Sequence, residues 1–132
     1  MSAANLDIAG RSDPGCVRER NEDSLAIDAG LGLLVVADGM GGHNSGEVAS
    51  ALAAETILSS ARIALAAGPT PVDGETPAAL RARLIADFVA KANKTIFDKA
   101  QAFPKDHGMG TTVVAVLADE SSLTVGHVGD SR

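Results

Sequence analysis

The chain has 132 residues and a formal net charge of -6, with 45% apolar and 21% charged residues. That is the composition of one soluble globular domain, too apolar for a disordered segment. With three Phe, no Tyr and no Trp, the core must be built from Ala, Leu, Val and Ile. Base-stacking platforms are missing, and the acidic balance argues against nucleic acid or anionic membrane as a main partner.

In chain order, Asn5–Asp13 (NLDIAGRSD) alternates apolar and polar residues at Leu6 and Ile8, which predicts an antiparallel strand. RSDPG is a turn, with Pro14 fixing its own backbone and Gly15 relaxing the next position. The single cysteine, Cys16, precludes an intramolecular disulfide and fits a reducing compartment. Beside Arg18 it is either a reactive thiol or a small residue at a turn. SLAID and LGLLVVAD, joined at Ala29-Gly30, read as a hairpin whose second strand is nearly all apolar, hence central and covered on both faces. Asn44 as N-cap and Glu47 in the capping-box position open a helix with Ala49, Leu52, Ala53, Ile57, Ala64 and Ala67 at helical spacing, stopped at Gly68-Pro69.

GPTPVDGETP is a polar loop. Thr76 then caps a second helix with Pro77 at its first position. Its core stripe is Leu80, Leu84, Ile85, Phe88, Val89, Ala92 and Ile96, and Pro104 ends it. TTVVAVLAD and LTVGHVGD are two further strands around the ESS turn. Strands, two long helices, then strands again give an α+β class with antiparallel sheets. The N-terminus lacks a basic stretch followed by a long apolar run, and no apolar run approaches membrane-spanning length, so a cytoplasmic location is expected.

The acids stand at strand ends and loops: Glu22 and Asp23 in RERNEDS, Asp38 in VADG, Asp130 in VGDSR. Carboxylates on neighbouring strand tips can converge, and an all-oxygen donor set suits magnesium or manganese. Gly39 would let a backbone carbonyl approach a metal; the same glycines also fit a plain strand-to-helix turn. GMGGHNSGE lacks the Gly-Lys-Ser/Thr of a nucleotide-binding loop, although a helix N-terminus there could face an anion. Arg18 either pairs with the nearby acids at the surface or grips a phosphate. His43, on the glycine loop, is either a general acid or a solvent-facing residue.

RERNEDS, VVADGMGGHNSGEVAS, GMGTTVV and VGHVGDSR, in this order and with long helices between the second and third, resemble the metal-dependent serine/threonine protein phosphatases of the protein phosphatase 2C type, in their bacterial form. The resemblance implies an antiparallel β-sandwich flanked by paired helices in four αββα layers. Residues 1–132 would be the N-terminal part of a single catalytic domain, truncated after GDSR. It further implies two Mn2+ or Mg2+ ions and a third, weaker site. Asp38 matches the bridging carboxylate, Gly39 the carbonyl ligand, Glu22 and Asp23 the acids that contact metal or its waters, and Asp130 the acid of the third site. Arg18 matches the phosphate-binding arginine; Arg20 does not fit that offset. Thr111 and Thr112 would be mainly structural.

The implied reaction is hydrolysis of phosphoserine and phosphothreonine in proteins by a metal-activated water, in signal transduction opposite a serine/threonine kinase or its targets. The implied state is a monomer without nucleic-acid or membrane partners. Some family members carry a His directly after the Asp-Gly pair; here it is Met40, leaving His43 or a water as proton donor. Because the family takes further aspartates from the second half of the domain, the 132 residues alone are expected to bind metal poorly and turn over little. The alternative is a non-catalytic signalling module of the same fold that binds a partner protein; a nucleotide-binding regulator fits less well.

Overall fold

Short apolar runs between glycine turns become the strands of one sheet. The computed structural model describes residues 5–42 and 44–132. β1 (Asp23–Asp28) and β2 (Leu33–Met40) form an antiparallel hairpin with Asp23 opposite Asp38 and Asp28 opposite Leu33. Gly32 in its turn has φ 70°, and a Cβ there would lie 2.2 Å from the Ala118 carbonyl oxygen, so only glycine fits. β2 pairs on its other edge with β3 (Gly110–Thr111) and β4 (Val113–Ala118), and β4 pairs with β5 (Leu123–Val128). The order β1-β2-β4-β5, with β3 also on β2, is antiparallel throughout.

Two helices cover one face. α1 (Ser45–Ala66) lies on β1 and β2, and α2 (Pro77–Ala102) lies against α1, β4 and β5. Small residues let α1 sit close: Ala49, Ala53, Ile57 and Ala61 are fully buried with Leu33, Val35 and Ala37. Burying such side chains is the main stabilising term, about 25 cal/mol per Å² of apolar surface. The larger side chains come from α2, whose Phe88 is 1% exposed. Its Ile85 seats over Gly126 of β5, where a Cβ would come within 2.4 Å of Ile85 Cγ2.

The structure departs from the sequence expectations in three places. Leu6 and Ile8 form no strand: residues 5–14 make no ladder, because alternation supplies a face but not a partner, and no strand pairs with them among the described residues. This segment instead crosses the outer face of β1, where a Cβ on Gly10 would meet Ile27 Cδ1 at 2.7 Å. β2 is central but covered on one face only among the described residues, with Val36 exposed alongside Leu25 and Val125. One sheet and one helix layer are two of the four layers expected. Asn44 is the N-cap of α1, but at φ 72° its side chain makes no capping bond, so the capping box is not formed. α1 is by length and composition long and apolar enough to cross a membrane, although Glu47, Glu55 and Arg62 interrupt its apolar run; its apolar face packs on the sheet as a core helix does. Thr76, by contrast, caps α2 as expected: its Oγ1 accepts from Ala79 N–H at 3.1 Å, with Pro77 in the first turn.

The β4–β5 turn is pinned to α2 by a charge. Arg81 is 6% exposed and places Nη1 2.6 Å from Asp119 Oδ2, while Nη2 donates to Ser122 Oγ at 2.7 Å. Asp119 Oδ1 accepts from the Ser121 and Ser122 amides, both at 2.9 Å. The Ser121 amide above all, then Ser122 and Arg81, hold the Asp119 carboxyl below its ordinary range against partial desolvation. A depressed folded pKa adds stability that is present above the unfolded value, about pH 3.9, and lost as pH falls through the folded value. Urea unfolding of the full-length protein should therefore show wild type above Asp119→Asn near neutral pH, with the midpoints converging below about pH 3.9. A gap that stays constant with pH would refute this linkage.

Candidate metal centre

The strand tips of β1 and β2 carry the acids. Asp23 and Asp38 are directly opposite in the register, so their side chains share one face of the sheet. Partial burial of its carboxyl raises the Asp23 pKa, followed by the hydrogen bond and like charge of Asp38; Arg18 opposes this and Glu22 adds to it. Two facing carboxylates with one guanidinium near them form a site short of positive charge.

The glycines bring the start of α1 against this tip. A Cβ on Gly39 would lie 1.9 Å from the Gly46 carbonyl oxygen, and one on Gly46 would lie 2.8 Å from Glu22 Cδ. Gly39 N–H donates to the Glu22 carbonyl at 3.0 Å, but the return bond from Glu22 N–H to the Gly39 carbonyl is not formed. N–H and C=O of one residue in an antiparallel strand face the same edge. The Gly39 carbonyl therefore faces the edge of Glu22 and Asp23 as an acceptor without its ladder donor, the kind of group that accepts from water or a cation.

Arg18 and Arg20 separate cleanly. Arg20 reaches Glu47 at 3.8 Å, while Arg18 forms no ion pair among the described residues and acts on Asp23 through space. Both line a shallow depression with Glu19 and Glu22. Asp130 stands exposed after Gly129, outside the Asp23–Asp38 pair. Among the described residues no three His, Cys, Asp or Glu side chains are placed to hold one ion together. His43 lies outside the described residues. Met40 is 65% exposed, His127 is exposed on β5 opposite Val114, and Cys16 is exposed in the turn after Pro14. Thr112, expected to be mainly structural, also touches the site: its Oγ1 accepts from Asp38 N–H at 3.2 Å, a contact that no local pattern signals.

The donor types at this tip, two carboxylates facing across β1 and β2 and a backbone carbonyl left without a ladder donor, suit hard divalent cations. An antiparallel α+β scaffold thus carries these acids at one rim of its sheet, with Arg18 beside them making no ion pair among the described residues. Residues 17–132 match the protein phosphatase 2C family, and the chain belongs to it. The chain is 42% identical over 127 residues to the serine/threonine protein phosphatase PstP of Mycobacterium tuberculosis, covering 96% of this chain and 22% of that protein. The crystal structure of the Mycobacterium tuberculosis phosphatase PstP/Ppp superposes with TM-score 0.74 at 37% identity, covering 92% of this chain and 46% of that one. The PstP catalytic domain in complex with two manganese ions gives TM-score 0.69 at 38% identity, covering 92% of this chain and 47% of that one. The chain thus spans less than half the length of these proteins.

Proposed function

We propose that the full-length protein is a metal-dependent phosphatase of phosphoserine and phosphothreonine in proteins. The observation that carries this reading is the Asp23–Asp38 pair beside the Gly39 carbonyl, with Arg18 near it making no ion pair among the described residues. Asp38, Asp23, Glu22 and the Gly39 carbonyl would hold two divalent cations, Mn2+ or Mg2+, and Asp130 would serve a third. Bound there, the cations supply an activated water and neutralise phosphate charge. Arg18 binds phosphate oxygens through its planar fork and orients the phosphoryl group. Asp23 and Asp38 stand exposed to solvent at the sheet rim, and His43 or solvent delivers the proton to the departing serine or threonine oxygen. The two manganese ions in the PstP structure support the manganese assignment. A cytoplasmic, monomeric enzyme acting on a serine/threonine kinase or its targets is the context this chemistry fits.

The test is manganese-dependent hydrolysis of p-nitrophenyl phosphate and a phosphothreonine peptide by the full-length protein. Arg18→Ala should raise KM for the peptide about tenfold or more while leaving manganese affinity unchanged, since it removes binding to phosphate alone. Phosphopeptide binding without hydrolysis at any manganese concentration would replace this reading by the non-catalytic signalling module.

A further inference from the structure

Asp38 and Thr112 face each other where β2 crosses from β4 to β3, and their pairing is irregular. Thr112 N–H donates to the Asp38 carbonyl at 2.9 Å, as an antiparallel pair requires. The return bond does not go to the Thr112 carbonyl. Asp38 N–H donates to Thr112 Oγ1 at 3.2 Å, and the Thr112 carbonyl accepts from Thr111 Oγ1 at 2.8 Å. This exchange is where β3 ends and β4 begins.

The same hydroxyl reaches a third strand end. Thr112 Oγ1 and Ser131 Oγ are 2.9 Å apart, one donating to the other. On the methyl side, Gly129 at φ 93° packs so closely that a Cβ would lie 2.9 Å from Thr112 Cγ2. Asp130 sits between these two contacts. One threonine side chain therefore touches the backbone of Asp38 and both neighbours of Asp130.

We propose that Thr112 is a positioning residue that sets the Asp38 and Asp130 carboxylates relative to each other for metal binding; this rests on the metal-site reading above. Its hydroxyl has the two lone pairs and one proton needed to accept from Asp38 N–H and bond Ser131. Its methyl gives Gly129 a surface to dock on. Neither contact touches a cation, so its effect is on the placement of the ligands.

The test compares Thr112→Val, Thr112→Ser and Ser131→Ala in the full-length protein by calorimetric manganese titration, with metal-free thermal unfolding alongside. Thr112→Val keeps the shape and loses both hydroxyl bonds; manganese affinity should fall about tenfold or more. Thr112→Ser keeps the hydroxyl and should bind within about threefold of wild type, while Ser131→Ala should fall between the two. If Thr112→Val does not fold, the Ser131→Ala loss carries the test. Unchanged affinity in whichever of these variants folds, or equal losses in Thr112→Val and Thr112→Ser, would overturn the inference while leaving the phosphatase reading intact. A wild-type protein that binds no manganese would overturn both.

Discussion

Asp38→Asn should lower metal-dependent hydrolysis by the full-length protein about a thousandfold or more, equivalent to about 4 kcal/mol of transition-state stabilisation. The substitution keeps the size of the side chain and removes one negative charge from a pair that needs two. Its backbone bonds to Thr112 do not involve the carboxyl and should persist. Manganese affinity should fall with activity, because an amide is a poor ligand for a hard cation. Metal-free stability should hold or rise, since Asp23 no longer faces a like charge. Activity assays, manganese titration and urea unfolding together separate a lost site from a lost fold. Activity within tenfold of wild type would remove Asp38 from the centre of the mechanism.

Gly39→Ala should damage fold and site together. Its Cβ would sit 1.9 Å from Gly46 O, 2.6 Å from Gly46 C and 3.0 Å from Glu22 O. All three are backbone atoms, so no side chain can turn away to make room. The first turn of α1 would have to lift off the strand tip, which carries Asp38 and lies beside Glu22. A cost of about 3 kcal/mol or more is expected, at the upper end of overpacking effects. Gly42 is the internal control, because a Cβ there meets nothing within 4 Å. Gly42→Ala should stay within about 1 kcal/mol of wild type and keep its manganese affinity. Equal urea midpoints for the two variants would show that the strand tip does not depend on this close approach.

Much of the scaffold was legible because its signals are local. Alternating or continuous apolar runs marked β1, β2, β4 and β5, and Thr76-Pro77 marked the start of α2. The same local rules failed where a partner decides. Leu6 and Ile8 have the strand period but no neighbour to pair with. Asn44 is a suitable capping residue, but its backbone is left-handed and its side chain makes no cap bond. The offset from the acids already told Arg18 from Arg20; the fold adds that Arg20 reaches Glu47 while Arg18 makes no ion pair among the described residues.

The sequence by itself determined an antiparallel α+β chain and the acids and glycines of the candidate site, since period, punctuation and donor chemistry are properties of short stretches. Tertiary structure decided which donors meet. Register sets Asp23 opposite Asp38, the contact of Gly39 with Gly46 brings α1 to Glu22, and Thr112, 74 residues from Asp38, takes over one rung of its ladder. These placements depend on strand pairing and close backbone approach between distant segments, and no local pattern encodes the distance between two carboxylates.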